Sequence, residues 1–532
     1  MINNMTQKFQ DLKNNPNYKW YVLVIVMFGA FMGALDSSIV NVSIPAMMAD
    51  FGANVDDIQW VITAYMLAFA VSIPITTWLK DKVGHKQLYI VSLIIFIAGS
   101  LLCGISWSLP SLIIARIIQA IGGGALSPIT MSMVAEVFEP HERGKAMGLM
   151  GLGIIIGPAI GPTLGGYLTM QFGWPSIFLI NIPIGILGTS LAIKFLVPDK
   201  PHEEFSKSKT FDFWGFVFLS TFLIAFLLGI CNGESKGWTS NYILVCTILS
   251  VIGLLGFLVV ESLVVNKLID LSLLKSGVFT TTLIITAARS VILFGGIFLL
   301  PLFIQRVQGL TEIQSGLLML PGSLILAIAF PIAGNLSDKA SPKLLSLIGL
   351  VGLFFFMYMY RNMNTSMTYW DIIYPTLIRG LGFSLLMAPV LTTALNSVPK
   401  HKTAMASTLL NLVQQIAGAI GIAILTTVLN NRTKFHLEVM GEKINAAAPI
   451  FTDTVGKLTN YVHQFGMTKM ESAVAAKAIL IKHVNVSAAV AGFQDTFLFG
   501  TLFVILAIIP TFFLPNKTHG NNTKKSDLII ME

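Results

Sequence analysis

Fourteen apolar runs, separated by short polar segments, constrain this chain more than any other feature of its sequence. A helix needs about 20 apolar residues to cross the hydrocarbon core of a bilayer, and these runs have that length. We therefore predict an all-α integral membrane protein with 14 transmembrane helices. The runs cover roughly residues 20–42, 58–78, 88–108, 110–134, 146–169, 176–197, 213–231, 241–263, 278–304, 315–335, 344–360, 371–396, 404–428 and 490–514.

The small share of charged residues argues against a soluble fold of this size. Only 11% of the 532 residues are charged and 54% are hydrophobic, whereas a soluble domain has about 25% charged residues. The net charge is +8, but the basic residues do not cluster into a surface that would bind nucleic acid. We therefore expect the lipid bilayer to cover most of the protein and expect no nucleic-acid partner.

The distribution of Lys and Arg predicts the orientation of the runs. With the N-terminus inside, the inner loops and both tails hold 21 of these residues, and the short outer loops hold three, Lys236, Arg306 and Arg361. Cytoplasmic loops carry such an excess of positive charge, and an error of one run would abolish the asymmetry. We predict a multi-pass protein of the cell membrane with both termini in the cytoplasm.

A short charged phrase, Leu-x-Asp-Lys-x-x-x-Lys, occurs at 79–86 and again at 336–343, each time between two apolar runs. After each copy comes an Arg near the outer end of a run, Arg116 and then Arg379, followed by glycines and a proline. Runs 1–6 therefore match runs 9–14 in order. Two halves of like topology around a site at the bilayer midplane are typical of transporters.

This repeat divides the chain into five predicted parts. They are a cytoplasmic tail (1–19), an N-terminal six-helix bundle (20–199), a linker with two inserted helices (200–265), a C-terminal six-helix bundle with a long extracellular loop at 429–488 (266–514), and a second cytoplasmic tail (515–532).

Several motifs resemble those of the major facilitator superfamily and, more narrowly, its 14-span drug:proton antiporters of the EmrB/QacA type. They are "LDSSIVNVSIP" at 35–45, the charged phrase at 79–86, "RIIQAIGGG" at 116–124, "GIIIGPAIGPTLGG" at 153–166, "FLINIPIG" at 178–185 and "LIDLSLLKSGVF" at 268–279. The resemblance covers nearly the whole chain. It implies the major facilitator fold and proton-coupled export of small amphipathic compounds. Thr77 stands where the family usually has a glycine, which we expect to loosen helix packing there.

The two charged phrases are candidate gates on the cytoplasmic side. An Asp at the inner end of a helix can bind a basic side chain or cap the N-terminus of a neighbouring helix. The resemblance implies that such contacts close the cytoplasmic side and break when it opens. A solvated turn with basic residues is the alternative. The candidate gating residues are Asp81, Lys82, Asp338, Lys339 and Arg379.

Asp36 and Arg116 are the candidate proton-coupling residues. Ionisable groups inside a membrane are costly and are usually functional. At about 1.5 Å of rise per residue, both reach the outer third of the bilayer and could pair. A static ion pair that holds the N-terminal bundle together is the alternative.

The run at 146–169 carries the candidate antiporter motif, which comprises Gly153, Gly157, Pro158, Gly161, Pro162 and Gly165. Glycines spaced by four lie on one stripe of a helix, where two backbones can approach closely. Each proline removes a helix hydrogen bond and can bend the helix. We predict that this face seals against a helix of the other half, with a dimer face between two chains as the alternative.

Arg289 lies near the middle of run nine, and no family motif asks for it. It could contact an anionic or polar part of a substrate, or it could pair with a structural carboxylate. A site for anions would favour a rival function, the proton-coupled export of one endogenous metabolite. A non-transporting membrane sensor on the same scaffold is a rival from another class.

Other kinds of function lack their residues in this sequence. There is no phosphate-binding loop of the Gly-x-x-x-x-Gly-Lys-[Ser/Thr] type, the histidines have no metal spacing, and no Ser-His-Asp set can be identified. We therefore expect no enzyme activity, metal or other cofactor, and small molecules and protons as transported species. The loop at 429–488 could cover the outer exit, bind an accessory protein or act as a flexible connector.

Overall fold

The structure, a computed structural model, describes residues 15–53, 55–198, 211–265, 267–443 and 449–516. Within these ranges it consists of helices and their connections, without strands, and fourteen helices are long and apolar enough to cross a membrane. The predicted all-α fold with 14 such helices is confirmed. They are α1 Tyr18–Phe51, α2 Trp60–Val83, α3 His85–Gly104, α4 Leu109–Val137, α5 Arg143–Phe172, α6 Ser176–Phe195, α7 Phe213–Lys236, α8 Asn241–Leu263, α9 Gly277–Arg306, α10 Glu312–Lys339, α11 Pro342–Met359, α12 Tyr369–Asn396, α13 Thr403–Lys443 and α14 Lys469–Thr511.

We call the side of the bundle where α1 begins the tail face and the opposite side the far face. Four helices that begin at the far face start with a capping box, in which a hydroxyl and the side chain three residues later satisfy each other's backbone N–H. The helices are α4, α10, α12 and α14, and their capping residues are Ser108, Thr311, Thr368 and Thr468. These polar residues fix where the four helices begin.

The first half, α1–α6, and the second half, α9–α14, are joined by a hydrophobic core near the tail face. This core brings Val26 and Phe138 of the first half together with Phe279 and Leu395 of the second. Two further apolar clusters lie within one half each. Near the far face α5 and α10 also approach each other, since a Cβ on Gly166 would lie 3.6 Å from Ile313.

The inserted helix α7 packs across the seam between α2 and α13. Leu227 of α7 lies in one apolar cluster with Ala70 of α2 and Ala419 of α13. The Asn430 side-chain amide of α13 donates a 3.0 Å hydrogen bond to Glu234 of α7. The insert therefore contacts both halves.

The segment predicted as a long loop, 429–488, is largely helical where the structure describes it, so that prediction is corrected. α13 continues to Lys443, a separate helix spans Pro449–His463, and α14 begins at Lys469. Asp495 of α14 accepts hydrogen bonds from Arg432 and His436 of α13 at 2.6 and 2.7 Å. These ionic contacts, and the amphipathic pattern of the segment, stabilise helices beyond the apolar runs.

Candidate functional site

A buried polar cluster surrounds Asp36 inside the first half. The Asp36 carboxylate is fully buried and accepts hydrogen bonds from Arg116 Nη1 at 2.6 Å, Gln119 Nε2 at 2.8 Å and Asn181 Nδ2 at 3.4 Å. The residues come from α1, α4 and α6, so this one carboxylate connects three helices. The predicted pairing of Asp36 with Arg116 is present in the structure.

Helix spacing and close packing assemble this cluster. Arg116 and Gln119 are three residues apart on α4, which places them on one helix face. Gln119 also donates to Ser100 of α3 at 2.6 Å. α3 can approach α4 this closely because Gly99 has no side chain, and a Cβ there would lie 2.5 Å from Gln119 Cα.

Aromatic rings hold the Arg116 guanidinium on its other sides. Its central carbon lies 3.9 Å from the centre of the Tyr65 ring and 5.6 Å from that of Phe178, which is the geometry of a cation–π contact. Its Nε donates to the Val61 carbonyl at 3.4 Å. The charge pair is thus enclosed by side chains of the first half.

The sequence analysis missed the other members of the cluster. Gln119, Asn181 and Ser100 are all fully buried. Each is a polar residue within an apolar run, which was a usable signal because buried polar groups need partners. Gln119 and Asn181 even lie within motifs that carried the family resemblance.

Asp338 forms a contact between the halves at the tail face. Its Oδ1 accepts from the backbone N–H of Gly144 at 2.9 Å, and its Oδ2 accepts from that of Lys145 at 3.0 Å. These N–H groups belong to the first turn of α5, where they lack partners within the helix and the helix dipole favours a negative charge. The second copy of the charged phrase therefore caps a helix of the other half.

The first copy has contacts within its own helix. Asp81 lies 3.3 Å from Lys80, and Lys82 Nζ lies 4.9 Å from the centre of the Trp78 ring. At this corner Thr77 contacts the other half, since its hydroxyl lies 2.8 Å from that of Thr408. The expectation that Thr77 loosens packing is wrong, because both hydroxyls are buried and bonded to each other across the halves.

Arg143 forms another tail-face contact that the sequence analysis missed. Its Nη1 donates to Asn396 Oδ1 at 2.8 Å and to the Leu395 carbonyl at 3.3 Å. Asn396 in turn donates to the Pro140 carbonyl of the first half at 3.1 Å. An Arg directly after a polar connection gave no signal of its own, since the loop rule already explained its charge.

Asp270 and Lys402 form an ion pair of 2.6 Å at the tail face, between the segment before α9 and the α12–α13 connection. Partial burial raises the pKa of the Asp270 carboxyl. Hydrogen bonds from Lys402 and Ser272 outweigh that effect and hold its pKa at about 2. Asp270 itself lies outside the helices long enough to span a membrane.

The glycine stripe of α5 packs against α1 of its own half, so the predicted seal with the other half is corrected. A Cβ on Gly157 would lie 2.5 Å from Leu35 N, and one on Gly161 would lie 2.8 Å from Ser38 Oγ. Gly153 and Gly165 also face α1, at Met27 and Ile39. Pro162 lies between these glycines on α5, and the side chain of Pro158 is outside the described part.

A different set of glycines on α5 faces α10 of the other half. A Cβ on Gly148 would lie 2.7 Å from Pro331 Cα, and Gly144 and Gly151 face Gly334 and Phe330. The reason is geometric: residues 148 and 157 are nine apart, which turns them to different sides of a helix with 3.6 residues per turn.

The other candidates lie apart from the tail-face contacts. Arg379 is buried in the part of α12 nearer the far face, with its guanidinium 5.7 Å from the centre of the Phe356 ring. This position inside the second half does not fit the predicted gating role. Lys339 is exposed at the end of α10. Arg289 is buried near the midpoint of α9 and donates to Gln414 Oε1 of α13 at 3.0 Å.

Two six-helix halves with a buried charge cluster and cross-half contacts at one face match a known family. The family model described as Major Facilitator Superfamily matches residues 26–422. The chain belongs to the Major Facilitator Superfamily. Its members in the comparisons are transporters, and the chain is a multi-span membrane transporter of this superfamily, related to multidrug export proteins.

Relatives in this superfamily align over most of the chain. An uncharacterised MFS-type transporter, YhcA of Bacillus subtilis, is 32% identical over 99% of this chain and 98% of its own. The multidrug export protein EmrB of Escherichia coli is 31% identical over 85% and 87%, respectively. The riboflavin transporter RibZ of Clostridioides difficile is 35% identical over 76% and 87%.

A solved structure supports the fold. The proton:xylose symporter XylE superposes with a TM-score of 0.59 over 95% of this chain and 98% of that one. The sequence identity is only 14%, so this likeness concerns the superfamily fold alone.

Proposed function

We propose that the protein exports small amphipathic compounds from the cell in exchange for protons. The observation that carries this proposal is the enclosed Asp36, a carboxylate that three donors from two other helices hold inside an apolar bundle. Protonation of Asp36 would remove the negative charge that Arg116 binds. The contacts between α1, α4 and α6 would then rearrange, which would couple proton uptake to a movement of helices.

The tail-face contacts support alternating access between two orientations of the halves. In this proposal the tail face is cytoplasmic, with both termini there, and the contacts of Asp338, Arg143 and Thr77 hold it closed. On the far-face side, Ser37 and Asn41 of α1 are exposed and lie on one helix face. Protons would enter by that side, and breaking the tail-face contacts would admit the compound from the cytoplasm.

The relatives' names support small molecules as substrates, since they include multidrug export proteins and a riboflavin transporter. Within this proposal Lys82 and Lys339 attract anionic headgroups at the cytoplasmic surface rather than bind across the halves. The membrane would be the inner membrane of a bacterial cell, as expected for bacterial relatives.

Proton release on substrate addition tests the proposal. The protein would be reconstituted in vesicles with a pH-sensitive dye, and a panel of amphipathic compounds would be added. We expect proton movement in the wild type and its loss in Asp36→Asn, while binding of the compound to the purified variant persists. No response to any compound would overturn antiport, and an unchanged response in the variant would remove Asp36 as the proton carrier.

We further propose that the helical extension beyond the far face binds an accessory protein. The helix Pro449–His463 and its neighbourhood expose aromatic side chains, with Tyr461 60% and Phe465 70% accessible. Replacing both by Ser should reduce export from cells and leave transport in vesicles unchanged. Equal effects in cells and vesicles would show that the extension acts within the transporter itself.

A further inference from the structure

The guanidinium of Arg289 is buried and contacts no carboxylate among the described residues. It is 3% exposed, and its one hydrogen bond goes from Nη2 to the neutral Gln414 side chain at 3.0 Å. Its Nε and Nη1 are buried and have no hydrogen-bond partner among the described residues. A buried charge without a partner is strongly unfavourable, and a buried donor without an acceptor adds to the cost.

Arg116 provides the internal comparison. Both arginines lie inside apolar helices, one in each half, and both contact a glutamine side chain. Arg116 also has the Asp36 carboxylate, a backbone carbonyl and an aromatic ring. If Arg289 had only a structural role, we would expect a similar set of partners around its guanidinium. Arg116 is bound to a carboxylate, whereas the described residues near Arg289 supply no such oxyanion.

Gln414 places Arg289 beside the boundary between the halves. Three residues before it on α13, Asn411 accepts a 2.6 Å hydrogen bond from Ser127 Oγ of α4. Residues three apart lie on the same face of a helix, so Gln414 lies on the face of α13 that contacts the first half through Asn411. It is about one turn farther from the tail face than this cross-half contact.

Arg289 itself lies near the midpoint of α9, a helix of 30 residues. Transporters of this architecture bind substrate near the midplane, between the halves. Arg289 and Gln414 thus occupy the level at which a transported compound would be bound.

We infer that Arg289 and Gln414 form a binding site for the oxyanion of an amphipathic substrate, with aromatic carboxylates as the simplest class. A guanidinium can bind a carboxylate along two edges, Nε with Nη2 or Nη1 with Nη2, in the planar geometry that Arg offers and Lys does not. Each of these edges of Arg289 contains one nitrogen without a hydrogen-bond partner among the described residues. The Gln414 side-chain NH₂ adds a donor from α13. This inference rests on the proposed export function, because the anion is part of the exported compound.

Matched anions and cations test the site in the full-length protein. The probes are naphthoate and fluorescein, paired with naphthylmethylammonium and a rhodamine ester, which have related ring systems, the opposite charge and no carboxylate. Binding to the detergent-purified protein would be measured by fluorescence and by thermal stabilisation, and transport would be measured in vesicles. The variants are Arg289→Gln and Arg289→Lys, with Arg379→Gln as the control for loss of a buried arginine.

We expect Arg289→Gln to bind the carboxylates at least about tenfold more weakly, because hydrogen bonds to a charged group are lost. Arg289→Lys should show a smaller loss, and Arg379→Gln should bind as the wild type does. Affinity for the two cations should stay the same or rise. Equal losses for anions and cations, or a wild type that transports cations but binds neither carboxylate, would overturn the site.

The same measurements separate this inference from the proposed function. If no compound of either charge moves protons in vesicles, the export proposal fails. Binding in detergent then decides the site alone: carboxylate binding that depends on Arg289 supports it, and its absence overturns it. Thermal unfolding of the unliganded variants checks that each one is folded.

Discussion

Thr77 of α2 and Thr408 of α13 share a 2.8 Å hydrogen bond although 331 residues separate them in the chain. The bond joins the two halves at the tail face, next to a charged phrase whose own Asp81 lies beside Lys80 of the same helix. The contacts at the tail face therefore include a hydroxyl pair at α2–α13 and a capped helix N-terminus at α5–α10.

The hydroxyl pair predicts a coupling between two distant positions. Thr77→Val and Thr408→Val each leave one buried hydroxyl without its partner, whereas the double variant removes both polar groups. In a double-mutant cycle on unfolding in detergent, we expect a coupling free energy of about 1 kcal/mol. Additive effects of the two changes would show that the bond contributes nothing to stability.

Asp338 should control how long the tail face stays closed. Asp338→Ala removes both acceptors from the first turn of α5, and Asp338→Asn retains one neutral acceptor. We therefore expect the tail face to be open most often in Asp338→Ala, less often in Asp338→Asn and least often in the wild type. Spin labels at the exposed Glu139 and Lys400, in a background without cysteines, would report the distance between the halves. Lys339→Gln, which changes the exposed neighbour of Asp338, is the matched control. Equal opening in that control would show that the effect does not depend on the Asp338 contacts.

Alanine substitutions at three glycines should distinguish the contact of α5 with α1 from its contact with α10. Gly157→Ala should destabilise the first half by about 1–3 kcal/mol, since its Cβ would overlap the α1 backbone. Gly148→Ala should instead favour the open tail face, because its Cβ would overlap α10 of the other half. Gly33→Ala is the control, with open space around it, and should change stability by less than about 0.5 kcal/mol. Unfolding in detergent would measure the change in stability, and the distance between spin labels at Glu139 and Lys400 would measure the opening of the tail face.

The Asp270–Lys402 pair predicts a pH dependence. A depressed pKa means that the stabilisation is complete above the ordinary Asp value of 3.8 and is lost as pH falls toward about 2. Asp270→Asn should therefore lower the thermal midpoint by the same amount at pH 7 and at about pH 5, and the difference should shrink below about pH 4. A difference that vanishes already between pH 7 and pH 5 would contradict this assignment.

The sequence predicts the helices well because the bilayer imposes their length and composition, and helix depth alone brings Asp36 to Arg116. The partner of the glycine stripe could not be predicted in the same way. Glycines spaced by four predict that another helix can approach that face closely, but they do not identify the helix. Both α1 and α10 pack against α5, and the stripe faces α1. The gating role predicted for Arg379 does not fit its place in the structure, because the sequence pattern gives neither its distance from the tail face nor its surroundings, which contain Phe356 where Arg116 has Asp36. The helices beyond the far face lie outside the apolar runs that guided the prediction.

The position of α7 restricts how the halves of such a transporter can move. Its contacts with Ala70 and Ile73 of α2 are apolar and non-directional, whereas Glu234 ties it to Asn430 of α13 by a directional bond. If the halves tilt, we expect α7 to move with the second half and to slide over α2. The boundary between the two moving bodies on this side would then run between α2 and α7, so the inserted helix would belong mechanically to the second half.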